Sequence, residues 1–293
     1  MFHSALICTD FSDGLHRLVD FVPSLAAGGI KKVTFFHSIP VSNDREIPRI
    51  DESEVERIRE KFAPALQQQS DGIEVAVEIQ RGKPVDHIAN TVKKHEIDII
   101  LLGTASRTLL SEKLFGSTTM ELCQRLSTPI MILRPQLIST YTVEELDLRC
   151  RHLFRYFLIP YDGSDTSKYL VQQVKRYAEK RPQNSLECCL LYRVVEEVRR
   201  RELPKDYQVK PAKEELERVK TDLATLGLQV EAEVVTGNPI AELLTAARDY
   251  DISAIATSSG SLGKLFEWSV PSFTGELLRR SWHPVIYFPP AKA

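Results

Sequence analysis

The chain has 293 residues, 43% of them hydrophobic, with 38 Lys and Arg against 40 Asp and Glu for a formal net charge of −2. That length accommodates two cores of about 130 to 150 residues each, and the near-neutral balance lacks the basic surplus by which nucleic-acid binders neutralise phosphates. No run approaches the roughly 20 apolar residues of a membrane helix and MFHSALICTDFSDG has no signal-peptide pattern, so neither nucleic acid nor a membrane is expected as a partner, and a cytoplasmic location is expected.

Short continuous apolar runs, the mark of strands buried on both faces of a parallel sheet, alternate along the chain with stretches of helical period. In the first half, strands are expected over 4–9, 33–39, 73–79, 97–102 and 130–133, and helices over 13–27, 53–69, 84–95 and 117–127. Ser53 and Ser117 suit N-cap positions and Pro84 a first helical turn. Residues 136–153 carry Thr142-Val-Glu-Glu145, which fits a capping box, and Val143, Leu146 and Cys150 form an apolar stripe; a linker helix is expected there. In the second half, strands are expected over 155–160, 186–192, 228–235, 251–256 and 285–288, and helices over 165–180, 211–226, 239–249 and 274–281. Pro211 and Pro239 suit first turns, and the charge-rich stretch from Arg199 to Lys213 reads as a solvated loop.

The two halves repeat each other. A strand ends in Asp followed by Ser twice, at Asp10-Phe-Ser12 and Asp162-Gly-Ser164, 152 positions apart. A strand then Gly-x-Pro recurs as Gly82-Lys-Pro84 and Gly237-Asn-Pro239, followed by Asp98-Ile and Asp251-Ile, and by the closing strands after Pro129 and Pro284. Four features in one order, with offsets of 152 to 155, indicate a duplication. The expected architecture is two tandem doubly wound α/β domains, Rossmann-like, each with a five-stranded parallel sheet: residues 1–136, a linker helix over 137–153, and residues 154–293.

Open parallel sheets bind ligands beyond the carboxyl ends of their strands. In the first copy those positions hold Thr9-Asp10-Phe-Ser12, His37-Ser38-Ile39 and Gly103-Thr-Ala-Ser106, with Gly116-Ser117-Thr118 opening the last helix. Backbone amides of a Gly-containing turn at a helix N-terminus can seat phosphate oxygens, and an aspartate across the sheet can accept hydrogen bonds from a ribose or base. The plainer alternative, that Gly116-Ser117 and Asp10 are only helix caps, is equally compatible with the spacing.

This set resembles the universal stress protein family in its tandem form, whose sheet is of the adenine-nucleotide α-hydrolase-like type. ATP-binding members carry Gly, two residues, Gly, nine residues, Gly and Ser or Thr; here the string is Gly103, two residues, Ser106, nine residues, Gly116, Ser117. The resemblance implies a site for ATP or another adenine nucleotide, with or without magnesium, built from Thr9, Asp10, Ser38, Gly103, Ser106, Gly116, Ser117 and Thr118. In the second copy the matching string is taken as Ala256-Thr-Ser-Ser259, then eleven residues to Pro271-Ser272, so that both glycines are missing and the loop is two residues longer. A proline at the place of Gly116 removes an amide donor, so this copy is expected to bind phosphate poorly.

Other chemistry finds no support. Ser258 to Leu265 lacks the first Gly and the final Ser or Thr of a Walker loop, no nucleophile elbow is present, and no catalytic or metal-binding set is assigned. The five cysteines show no metal spacing and read as reduced, buried hydrophobes. His37 and His283 read as packed or solvent-facing, Asp98 and Asp251 as caps or solvent-facing, and Trp268 and Trp282 as core or interface fillers. The leading function is a regulatory stress-response protein holding nucleotide in copy one, with copy two a degenerate structural partner and any ATP hydrolysis slow. The alternatives are a nucleotide-free module for an unknown protein partner, and an adenylating enzyme, which would want paired glycines after the first strand. The family resemblance further implies an intramolecular pseudo-dimer in which Ile130–Leu133 and Val285–Phe288 meet antiparallel; a homodimer of the whole chain stays open.

Overall fold

A computed structural model describes residues 1–40, 52–70, 72–104, 117–196, 206–260 and 272–290. The chain folds into two compact units, Phe2–Arg151 and His152–Ala293.

The first unit contains strands β1 (Ser4–Cys8), β2 (Lys32–Ile39), β3 (Glu74–Arg81), β4 (Ile99–Gly103) and β5 (Ile130–Leu133). They lie in the order β3-β2-β1-β4-β5, and every neighbouring pair is parallel. The chain builds outward from β1 on one side and then resumes at β4 on the other, so the order reverses between β1 and β4. Helices α1 (Val22–Ala27), α2 (Glu52–Gln67), α3 (Pro84–Lys94) and α4 (Ser117–Arg125) make the crossovers, followed by α5 (Pro135–Thr140) and α6 (Val143–Arg151). β1, at the centre of this order, is buried at every residue, and so is β5, whereas β3 at one edge is half-exposed, so β1 and β5 read as unbroken apolar stretches and β3 does not.

The second unit repeats the plan with β6 (Tyr156–Pro160), β7 (Cys188–Val195), β8 (Gln229–Thr236), β9 (Ala254–Ser258) and β10 (Val285–Phe288), in the order β10-β9-β6-β7-β8, again parallel throughout. Its helices are α7 (Asp165–Ala178), α8 (Asp206–Ala224), α9 (Pro239–Asp249) and α10 (Phe273–Arg280). Here the order reverses between β6 and β9. Each unit is therefore a doubly wound α/β domain.

Several local expectations need correction. The helix expected over 13–27 is broken into a 3-10 segment, Leu15–Asp20, and α1, because Gly14 takes φ 75° and Phe21 φ −118° on either side of that segment. Its counterpart α7 runs unbroken from an N-cap at Ser164, whose hydroxyl accepts from the Ser167 amide. Ser53 lies one residue inside α2 rather than at its cap, and Ser117 is the first residue of α4. Pro211 sits within α8, which begins at Asp206, so the second half of the supposed solvated loop is helical. Burial of Ala212, Leu216 and Leu223 along one face stabilises that helix despite the missing amide.

The linker stretch packs on the first unit. Thr142 and Glu145 form the reciprocal capping box: the Thr142 amide donates to Glu145 Oε2 at 2.8 Å, and the Glu145 amide to Thr142 Oγ1 at 3.3 Å. Leu146 and Cys150 are buried, while Val143 is 63% exposed and does not belong to the stripe. Ser24 of α1 donates to Asp147, and Arg17 donates to the carbonyls of Ile138 and Tyr141.

Candidate functional site

The strand ends on either side of each order reversal carry the residues of interest. In the first unit Thr9 and Asp10 follow β1, and Gly103 closes the adjacent β4. Asp10 is exposed; its Oδ1 accepts from the Ser12 amide at 2.8 Å and the Ser12 hydroxyl at 2.7 Å, and its other oxygen takes no bond among the described residues. This short loop puts Phe11 at φ 64°. Packing of the Phe11 ring at 4.8 Å from His37 and 5.2 Å from Phe62, with the Lys61 ammonium above it, holds that left-handed backbone in place. His37 is buried and binds the Thr9 carbonyl through Nδ1 at 2.8 Å, so its role is packing.

Thr9 faces inward. Its hydroxyl donates to Asp13 Oδ1 at 2.7 Å and accepts from the Phe11 amide at 3.0 Å. Asp13, to which the sequence pattern assigns no role, is only 8% exposed and also accepts from the Leu15 amide at 2.9 Å. Burial pushes its carboxyl above the ordinary range, against the pull of the Thr9 and Leu15 hydrogen bonds. A Cβ on Gly103 would lie 2.8 Å from Asp13 Cβ, so this glycine makes room for Asp13 and not directly for a ligand. The only sequence signal for Asp13 was its place one turn beyond Asp10.

The Ser38 hydroxyl donates to the Gly82 carbonyl at 3.0 Å, tying the end of β2 to the turn after β3. Thr118 lies in the first turn of α4 and is half-buried, and Ser117 begins that helix. Ser106 and Gly116 lie outside the described residues, as does Trp268. Thr9, Asp10 and Gly103 are thus gathered at the reversal, with Ser38 one strand further out. Asp98, away from this end, accepts from the His3 amide just before β1 at 2.9 Å and from the Ser4 amide that opens it at 3.1 Å. Trp282 is 54% exposed and fills no core. Four cysteines are buried and Cys188 is half-buried.

The second unit preserves the turn geometry. Asp162 Oδ1 accepts from the Ser164 amide at 2.9 Å, and Gly163 has φ 83° where Phe11 has 64°. Sheet register also corrects the comparison of the two loops. Ile100 pairs with Ile130 at the start of β5, and Ile255 pairs with Val285 at the start of β10, so Gly103 corresponds to Ser258 and not to Ala256. On that register the loops have equal length, and Ser258, Ser261, Pro271 and Ser272 stand for Gly103, Ser106, Gly116 and Ser117. The side chain at 258 then explains a second difference: Asp165, the counterpart of Asp13, is exposed in the first turn of α7 and not tucked against the strand.

A cavity of about 630 Å³ opens at the ends of β6 and β9. Its floor hydroxyls are engaged inside the protein: Ser258 donates to the Phe288 carbonyl at 2.8 Å and Thr274 to the Ser258 carbonyl at 2.7 Å. Beside the mouth, Glu215 accepts from Arg193 at 2.6 Å and from the Tyr161 hydroxyl at 3.1 Å. The Arg193 guanidinium holds the Glu215 carboxyl low, while burial and then Glu215 push the Tyr161 phenol up to about 12.

Two doubly wound α/β units in tandem, each with an Asp following a strand at its order reversal, define the class of protein. The chain belongs to the universal stress protein family, whose model matches residues 1–134 and again 154–289. Among solved structures, a universal stress protein from Archaeoglobus fulgidus is similar at 17% identity with a TM-score of 0.64, 97% of each chain being covered. A protein of unknown function from Pseudomonas aeruginosa matches at 10% identity and a TM-score of 0.58, over 99% of this chain and 93% of that one. A universal stress protein in complex with cAMP matches 46% of this chain and 98% of its own, at 19% identity and a TM-score of 0.33. No match was found among curated proteins. Among the described residues no helix is long and apolar enough to cross a membrane.

Proposed function

We propose that this chain is a cytoplasmic stress-response regulator that holds ATP or a related adenine nucleotide at the order reversal of its first unit. The observation that supports this reading is the convergence of Asp10 and Gly103 on adjacent strand ends, in a family member whose first copy keeps three of the four marked phosphate-loop positions. Asp10 suits the nucleoside end, because it is exposed and offers a carboxylate oxygen to a ligand hydroxyl or amine. The phosphates fall to the loop amides from Gly103 to Ser106 and from Gly116 to Thr118. With or without magnesium stays open; where that ion accompanies the nucleotide it is expected on the phosphates, as it commonly is. No general base is assigned beside them, and hydrolysis is expected to be slow. The second unit, with Pro271 in place of Gly116, is the phosphate-poor structural partner. β5 and β10 are proposed to pair antiparallel within the chain, which would cover two apolar edges.

Calorimetric titration of ATP, with and without magnesium, into wild type and the Asp10→Ala, Gly116→Pro and Asp162→Ala variants tests this. One site is expected, weakened roughly 10- to 150-fold by loss of a charge-assisted bond at Asp10 and left unchanged at Asp162. Two equal phosphate sites, or equal weakening by both Asp variants, overturn the assignment. Absence of any binding to wild type points to the nucleotide-free interaction module. For the strand pairing, disulfide crosslinking of cysteines introduced at Met131 and Ile286 in a monomeric fraction is expected, and crosslinks found only between chains refute it.

A further inference from the structure

The internal duplication supplies one contact twice, with different chemistry. In each unit the helix after the edge strand ends on a residue whose side chain reaches back to a glutamate of that strand. In the first unit His95, the C-cap of α3, holds Nε2 2.7 Å from Glu78 Oε1 on β3, and the two side chains are only 12% and 13% exposed. In the second, Tyr250, the C-cap of α9, donates its hydroxyl to Glu233 on β8. Tyr250 and Glu233 each stand 155 positions after their counterparts. Both turns then pass through an acidic residue at positive φ, Glu96 at 52° and Asp251 at 50°, a conformation that a non-glycine residue keeps only where its surroundings hold it.

The two donors answer differently to pH. Histidine is the side chain whose ordinary titration falls near neutral pH, whereas a phenol stays protonated there. The hydrogen bond to Glu233, then burial, push the Tyr250 phenol up to about 12, so its contact keeps one form across that range. At Glu78 burial favours the protonated carboxyl, but hydrogen bonds from Lys94, at 2.6 Å, and from His95 outweigh it and hold the carboxyl below its ordinary range. Glu78 is therefore anionic at neutral pH, and an imidazolium at His95 adds a full charge that a neutral imidazole does not bring. The other charged groups facing this region are Lys94 and Glu96, the Lys32–Glu74 pair across β2 and β3, Asp98 beneath the His3 and Ser4 amides, and Asp86, which Arg125 of α4 holds at the far end of α3. All are of types that ordinarily titrate well away from neutral pH. The nearby histidines are His87, whose Nε2 lies 2.8 Å from the Arg81 carbonyl, and His3 ahead of β1.

We propose that the first unit carries a proton-sensitive latch, closed by His95 and Glu78 between α3 and the sheet edge, of which the second unit keeps a proton-insensitive counterpart. The sign follows from the charges. Closing pairs an imidazolium with a carboxylate, so the extra hold is present while both are charged and is lost as pH rises and His95 gives up its proton. On the acid side it is lost again only as pH falls through the depressed Glu78 value. A rise in pH thus loosens the turn at Glu96 and the β3 edge to which it is tied, and leaves the turn at Asp251 unchanged. The latch operates whether or not the first unit holds nucleotide.

The test is amide hydrogen exchange of the full chain, read by mass spectrometry between about pH 5.5 and pH 8 and corrected for the intrinsic exchange rate. Protection over residues 93–98 is expected to fall roughly three- to fivefold across that range, the worth of a partly exposed ion pair, while protection over residues 248–253 stays level. His95→Tyr, which installs the second unit's donor, and Glu78→Gln, which keeps an acceptor without its charge, should each make the first turn level as well. His87→Gln and His3→Gln should leave its pH dependence in place. A flat wild-type profile, equal slopes in both turns, or a dependence that survives in His95→Tyr or Glu78→Gln overturns the proposal. So does a dependence abolished by His87→Gln or His3→Gln.

Discussion

Gly103→Ala is the sharpest probe of how the first unit's strand ends are built. The new Cβ would fall 2.8 Å from Asp13 Cβ and 3.2 Å from both Cγ and Oδ2, well inside ordinary carbon contact. Neither side yields easily. Gly103 is in register with Leu133, whose carbonyl also takes the Thr104 amide at 3.0 Å, and Asp13 is tethered by Thr9 and Leu15. The Asp13 side chain is the softer partner, so the clash is expected to expel its carboxylate toward water. With the clash relieved by that movement, the lost charge-assisted bond costs about 1.5–3 kcal/mol. Replacing a strand glycine by alanine returns about 0.5–1 kcal/mol through backbone entropy. The net loss is about 1–2 kcal/mol, or a urea midpoint lower by about 0.5–1 M for the first unit. A second signature lies in pH. The folded Asp13 binds its proton more tightly than the unfolded residue does, so wild-type stability rises as pH falls through the folded pKa toward 3.8 and is lost as pH rises through it. With the carboxylate in water the variant lacks that gain, and the gap between the two proteins widens from pH 7 to pH 4. Urea unfolding followed by circular dichroism at several pH values measures both. A variant as stable as wild type, or a gap independent of pH, would refute the reasoning.

Asp13→Asn keeps an oxygen for the Thr9 and Leu15 donors while removing the buried charge. It should stabilise the protein at pH 7 by about 1.4 kcal/mol for every pH unit by which Asp13 titration is displaced, and not at pH 4; thermal melts across that range check it. Gly28→Ala would set a Cβ 2.8 Å from the Arg151 carbonyl and 2.9 Å from that of Cys150, prying α6 from α1. Limited proteolysis should then become faster within residues 137–151, and an unchanged digestion pattern would contradict the packing of that helix on the first unit.

Much of this architecture was legible because strand burial writes itself into composition. Runs such as Ala5 to Cys8 and Ile130 to Leu133 are apolar throughout because the sheet covers both faces, and the repeated Asp-x-Ser and Gly-x-Pro marks placed the turns. The Thr142–Glu145 cap was legible for the same local reason, since both partners lie within one helical turn. Non-local facts were not. Whether Gly103 answers to Ala256 or to Ser258 depends on which residues lie across from them in β5 and β10, a register that two flanking loops of free length do not reveal. Asp13 looked like any acid in a first turn, and only folding brings Gly103 against it and takes it out of water. The second unit's crevice shows the same division. Sequence comparison registered the missing glycines, which are local, but its acidic and aromatic lining is assembled from five separate stretches between Pro160 and Thr274. Chain-distant side chains acquire a shared charge and shape only once the sheet order sets them around one opening, so its chemistry was decided by the tertiary structure.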